Sequence, residues 1–144
     1  MNKFLLILLQ ILCYDIWFYT SHVILHYRRP YSLIHYIHHE KSHHVLIFWD
    51  AYEGSNWEGL IQSAGLFVPY IITKFPLKYL LIAGFITNLR GLMRHDNRCI
   101  WLIGNHHILH HKYQKYNYGE YWIDKLCGTL CPNEKEYEYG LIYT

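Results

Sequence analysis

Residues 4–25, FLLILLQILCYDIWFYTSHVIL, set the first constraint on this chain. At 1.5 Å per residue, an uninterrupted helix of this stretch is about 33 Å long, enough to cross a hydrocarbon core of about 30 Å. A signal peptide shares the basic start and apolar run. Here no small-x-small cleavage site follows, and the apolar character continues past Asp15, so the segment reads as a retained membrane helix. A second apolar region runs from Trp57 to about Met93 and is interrupted by TKFPLK at 73–78. Its halves are each near the short limit for spanning and predict a helical hairpin turning at Lys74, Pro76 and Lys78. Two core helices of a soluble bundle are the competing reading of the same pattern.

Charge supports the spanning arrangement. With one crossing by the first helix and two by the hairpin, residues 26–57 and 94–144 share a side. That side, with Arg90, holds all Lys and Arg except Lys3, Lys74 and Lys78, and all the histidines gather there. The bias predicts that this side faces the cytosol. The expected architecture is all-α: an integral membrane helical protein whose cytosolic-side helices carry a histidine-rich site. Residues 1–144 are expected to form one domain. The net charge of +2 says little about partners, and no basic run points to nucleic acid, so none is expected as a partner.

Histidine is the compositional anomaly, with 12 in 144 residues. The four cysteines, Cys13, Cys99, Cys127 and Cys131, show neither zinc-ribbon nor disulfide-framework spacing and read as reduced thiols. The histidines fall into three groups: His22-x-x-x-His26, then HYIHH (His35, His38, His39), then HHILHH (His107, His110, His111, with His106 as an extra). Positions i, i+3 and i+4 share a helix face, so each group can aim imidazoles at one place. Protonated, such a cluster repels itself; neutral, it offers lone pairs to an electrophile. These eight, with His95 as a ninth, exceed the three or four ligands of one zinc and suit two metals with higher coordination. Imidazole alone is compatible with iron, copper, zinc or nickel. His43, His44 and His106 read as bystanders.

The order D-x-x-x-Y-x-x-H-x-x-x-H (Asp15, Tyr19, His22, His26), H-x-x-H-H (His35, His38, His39), then H-x-x-H-H with N-Y-G and D-x-x-x-G-T (His107, His110, His111; Asn117, Tyr118, Gly119; Asp124, Gly128, Thr129) resembles the fatty acid hydroxylase/sterol desaturase superfamily over roughly residues 15–130. Glu58 resembles the family's glutamate at membrane re-entry, and His95 its additional histidine. The chain departs from the pattern at Val23, where an arginine is usual, and at Trp57, where a proline is usual. It is also short at its N-terminus relative to the family.

The resemblance implies a membrane-bound non-haem di-iron oxygenase that hydroxylates or desaturates a lipid, whether fatty acyl, sphingoid or sterol. Two Fe ions would be the cofactor, and His22, His26, His35, His38, His39, His95, His107, His110 and His111 their ligands. Candidate acceptors for the far N–H of those rings are Asp15, Glu58, Asp96, Asn117 and Asp124. Asp124 reads equally as a fold-stabilising group, and Tyr19 belongs to the same flanking motif. A separate cytochrome b5 and reductase would supply electrons at an endoplasmic-reticulum-type membrane, and an oligomer is compatible with all of this. Two other classes compete: a membrane metal-binding or transport protein, and an inactive structural relative. Transport sites place ionisable groups within the span, whereas these clusters sit at helix ends and beyond.

Overall fold

The computed structural model describes residues 3–142, which are helical with no strand among them. Helix α1 (Lys3–Leu25) leads into a single turn, α2 (Arg28–Pro30). A π-turn over Tyr31–His35 and 3₁₀ turns over Tyr36–His39, His43–Val45 and Phe48–Tyr52 follow. Helices α3 (Asn56–Thr73) and α4 (Leu77–Arg94) form the hairpin, and short helices α5 (Ile100–Ile103), α6 (His106–Tyr113) and α7 (Tyr121–Cys127) complete the chain. The three long helices coincide with the apolar runs. Among the described residues α1 alone is both long and apolar enough to cross a bilayer. Helices α3 and α4 have 18 residues each, about 27 Å.

Local chemistry fixes the hairpin. Ser55 caps α3 by accepting from the Trp57 N–H, and Glu58 lies in the first turn, where the helix dipole favours an acid. Lys74 ends α3 in the left-handed region at φ 52°, and Pro76 precedes α4 as its N-cap residue.

Helix α1 packs against both α3 and α4. Its approach to α3 requires a glycine: a Cβ on Gly65 would lie 2.7 Å from the Trp17 Cβ. There the Trp17 indole N–H donates to the Ile61 carbonyl at 2.6 Å, and the Gln10 amide donates to the Leu66 carbonyl. A charge cluster ties the other elements together. Asp15 on α1 pairs with Arg90 on α4, and Glu120, just before α7, pairs with Arg90 and Arg94. Asp15 and Glu120 are both buried. Two acids against two guanidinium groups keep the cluster neutral, which its burial requires.

The packing is inverted relative to a water-soluble bundle. Large apolar side chains face outward on all three long helices: Phe4, Leu8 and Ile16 on α1, Leu60, Phe67 and Ile72 on α3, and Leu81, Phe85 and Leu89 on α4. The buried interior at the opposite end from the Lys74 turn is filled with histidine. The chain there departs from the sequence expectation in one respect: His35, His38 and His39 sit on a π-turn followed by a 3₁₀ turn, not on an α-helical face. A repeat of i, i+3, i+4 identifies neighbours without fixing how tightly the backbone winds.

Candidate metal centre

Nine histidines converge at the ends of α1 and α4, and they do so as two groups rather than one. His22, His26, His35, His39 and His110 form the first; His38, His95, His107 and His111 form the second. Within each group the ligand-capable nitrogens all lie within 4.8 Å of one another. The groups adjoin, with His35 stacked on His38 and His107 stacked on His110 at ring-centroid distances of 5.3 Å.

Each H-x-x-H-H motif is split between them. His35 and His39 join the first group while His38 turns to the second; His107 and His111 join the second while His110 turns to the first. For α6 this follows from helix geometry. At about 100° per residue, i+4 lies near i while i+3 lies on its other flank, so the motif straddles two centres.

Hydrogen bonding decides the protonation state of the rings. His38 Nδ1 lies 2.8 Å from the Glu53 carbonyl oxygen and His95 Nδ1 lies 2.8 Å from that of Gly91. In the first group, His22 Nδ1 meets the Tyr118 carbonyl at 2.5 Å and His110 Nδ1 meets that of Tyr116 at 2.7 Å. A carbonyl only accepts, so all four rings carry hydrogen on Nδ1 and present a lone pair at Nε2. Burial keeps the rings neutral. It pulls His26 down to about 4 and His95 to about 3, in each case with the charge on His38 as a further cause. It also lowers His35, His38, His39, His107, His110 and His111, where for all but His38 neighbouring histidines add to the effect.

These facts test whether a metal fits. Nε2 of His38 and Nε2 of His95 face each other at 3.1 Å with no proton between them. Nε2 of His35 meets Nε2 of His22, His26 and His39 at 3.0, 3.0 and 2.9 Å. One ring nitrogen, with a single hydrogen or a single lone pair, does not satisfy three such partners. Both ring nitrogens of His111 are buried without a hydrogen bond. A cation in each group removes the first two conflicts and gives one nitrogen of His111 a partner. Two imidazoles about 2.1 Å from one ion lie about 3.0 Å apart at a right angle and about 3.4 Å apart in a tetrahedron. The close Nε2 contacts span 2.9–3.2 Å, a separation at which neighbouring rings can share one ion.

Of the polar residues flanking the motifs, only Glu58 reaches a histidine of either group, with Oε1 2.9 Å from His35 Nδ1. The others are engaged elsewhere. Asp15 holds Arg90. Asp96 accepts from Arg98 and from the Phe48 N–H. Asn117 donates to the His106 carbonyl and accepts from Cys131 N–H and the Tyr137 hydroxyl. Asp124 accepts from the N–H groups of Tyr118 and Gly119, from the Thr129 hydroxyl, and from His106. The Tyr19 hydroxyl lies 3.3 Å from that of Thr129. His43 and His44 stand outside both groups, and His106 is buried on Asp124 rather than exposed. The ring-orienting acceptors that sequence reasoning missed are the backbone carbonyls of Glu53, Gly91, Tyr116 and Tyr118. No residue-type signal marks them.

A family comparison settles the kinship. The model of the family described as fatty acid hydroxylase matches residues 7–129. The chain belongs to the fatty acid hydroxylase family. Two curated relatives are sterol enzymes: the Delta(7)-sterol 5(6)-desaturase of Schizosaccharomyces pombe is 29% identical over 136 residues, covering 88% of this chain and 44% of the relative. The Delta(7)-sterol 5(6)-desaturase of Saccharomyces cerevisiae is 29% identical over 129 residues, covering 80% of this chain and 33% of the relative. The chain thus spans less than half the length of these curated relatives. No solved structure matches it. All nine histidines of the two groups lie within the residues that match the family.

A cavity of about 220 Å³ opens beside the histidines. Tyr14 and Phe18 of α1, Gln62 and Leu66 of α3, and Gly84 and Gly91 of α4 line it together with His22, His38, His95 and His107. A second hollow of about 540 Å³ reaches His38 and Glu58 from the side of residues 51–56.

Proposed function

We propose that this protein is a membrane-bound non-haem di-iron oxygenase that hydroxylates or desaturates a lipid. The observation that carries the reading is the pair of histidine groups, whose inward lone pairs are unpaired without a cation, in a chain of the fatty acid hydroxylase family. His22, His26, His35, His39 and His110 would hold one iron, and His38, His95, His107 and His111 the other. Bound there, the irons supply activation of dioxygen and removal of hydrogen from an unactivated C–H bond. The protein's own part is to orient the rings, hold them neutral, and limit what reaches them. Backbone carbonyls fix ring direction, Glu58 lies beside His35, and burial suppresses protonation.

The substrate reading follows from the cavity and its surroundings. Its volume lies below the roughly 300–1,000 Å³ of sites that enclose a whole small molecule. Only part of a lipid would enter, with the remainder left among the outward apolar side chains. Those side chains on α1, α3 and α4 support three membrane crossings, since exposed apolar surface of this extent marks a lipid or protein contact. The lysines at 3, 74 and 78 then lie on one face and the histidine-bearing segments on the cytosolic face, as in an endoplasmic-reticulum-type membrane. Both reactions consume electrons, which a cytochrome b5 and reductase pair would deliver from that side.

The test is isotopic. The protein is reconstituted in membranes with cytochrome b5, its reductase and a mixed sterol, sphingoid and acyl-lipid pool. The reading predicts products that gain one oxygen from labelled dioxygen or lose two hydrogens, and that vanish without oxygen or reductant. Turnover without oxygen, or label entering from water, contradicts it.

A further inference from the structure

The geometry points to Asp124 as a positioning residue for ring direction in one of the two centres: through the Tyr118 peptide it orients His22 of the five-histidine group, whereas the carbonyls that orient rings of the four-histidine group are held elsewhere. The inference rests on the two-metal reading above and adds an asymmetry to it.

Both ring-orienting carbonyls of the first group come from one short loop. Tyr116 orients His110 and Tyr118 orients His22. Between them Asn117 adopts the left-handed region at φ 59°, a conformation asparagine tolerates better than most residues. Gly119 then passes the Tyr19 ring so closely that a Cβ would lie 3.0 Å from the Tyr19 Cβ. The loop is held from behind by Asp124, which is fully buried. Its Oδ1 accepts from Tyr118 N–H at 2.9 Å and from the Thr129 hydroxyl at 2.6 Å. Its Oδ2 accepts from Gly119 N–H at 2.8 Å and lies 3.0 Å from His106 Nε2. Asp124 therefore grips the N–H on each side of the carbonyl that receives the His22 proton. The corresponding carbonyls for the second group belong to Glu53 and Gly91, on other segments; the contact of Asp124 toward that group is with the ring of His106, the chain neighbour of His107, and not with a carbonyl that orients one of its rings. The N-Y-G and D-x-x-x-G-T motifs are in this view one device, a carbonyl clamp on a single centre.

The test measures Fe(II) binding to the full chain in detergent, anaerobically, by titration and by iron per chain, with thermal stability recorded alongside. Asp124→Asn retains shape but leaves one side-chain oxygen for the donors that two now serve. It should weaken one of two iron sites by about 10–100-fold, the range for losing a partner that orients a ligand, and leave the other unchanged. Thr129→Val removes one contact to Oδ1 and should weaken the same site less. If Asp124→Asn does not fold, Thr129→Val carries the test alone. To identify the site, each change is repeated with His95→Ala, which leaves three nitrogens in the four-histidine group, and with His26→Ala and His39→Ala together, which leave three in the five-histidine group. The loss should appear in the His95→Ala background and be absent in the double-alanine background. Equal weakening of both sites, or weakening confined to the four-histidine site, overturns the proposal, as does wild-type binding at both sites in the folded variants. Failure of the unmodified chain to bind two irons would instead overturn the two-metal reading.

Discussion

His38 and His39 are neighbours in the chain yet belong to different groups, so alanine at each should empty a different centre. His38→Ala removes one of four nitrogens from its group, and His39→Ala one of five. The four-histidine centre has less to spare, so His38→Ala should be the more damaging. The contacts sharpen the expectation. His38 Nε2 stands 3.1 Å from His95 Nε2, and its loss leaves the site with His95, His107 and His111. His39 Nε2 bridges His35 and His110 at 2.9 and 3.2 Å, and its loss leaves four nitrogens still grouped. Loss of a group that merely orients a ligand costs about 10–100-fold in affinity. Loss of a ligand should therefore exceed about 100-fold at the four-histidine centre and fall nearer the lower figure at the other. Iron per chain after equilibration against a graded chelator measures both. The expected pattern is one iron retained by His38→Ala up to strong chelation, and a second weakly held iron in His39→Ala. Indistinguishable chelation curves for the two variants would refute the split.

Two further outcomes follow. In the metal-free protein, the folded state holds His26 at about 4 and His95 at about 3, below the ordinary 6.5 of the unfolded chain. The unfolded state thus binds more protons below pH 6.5. The stability from these groups is present above that value and is lost as pH falls through 6.5 towards 4 and 3, at about 1.4 kcal/mol per pH unit per proton. The thermal midpoint of apo-protein should fall steeply from pH 6.5 to 4, less so in His95→Asn; a flat profile contradicts the buried neutral rings. For packing, Gly65→Ala would set a Cβ 2.7 Å from the Trp17 Cβ and should cost about 1–3 kcal/mol, whereas Gly91→Ala meets nothing within 4 Å and should be neutral or stabilising by about 0.5–1 kcal/mol. Retention of monodisperse protein after heating ranks the two, and the reverse order would refute the packing of α1 on α3.

The long helices were legible because continuous apolar sequence with a Pro-containing break has few alternative readings. The nine converging histidines were legible for a related reason: spacing of three and four survives even where the backbone winds as π and 3₁₀ turns. What was not legible was partnership. Asp15 and Asp96 are near histidines in sequence, but arginines claim them: Arg90 from 75 positions away and Arg98 from two. His106 and His107 differ by one position, and the helix turns the first to Asp124 and the second to His95. The carbonyls that orient four rings carry no sequence identity at all, so only a backbone path reveals them. The neutral Asp15, Arg90, Arg94 and Glu120 cluster was hidden in the same way, by distance along the chain.

The most direct test of the account is the metal itself. Detergent-purified protein, grown with iron and never exposed to chelator, is analysed for metal per chain and by X-ray absorption at the iron edge. The account predicts two irons per chain, each in a shell dominated by imidazole nitrogen with more than four neighbours. One tetrahedral zinc per chain, or a protein that folds with no metal and binds none when offered, would contradict it.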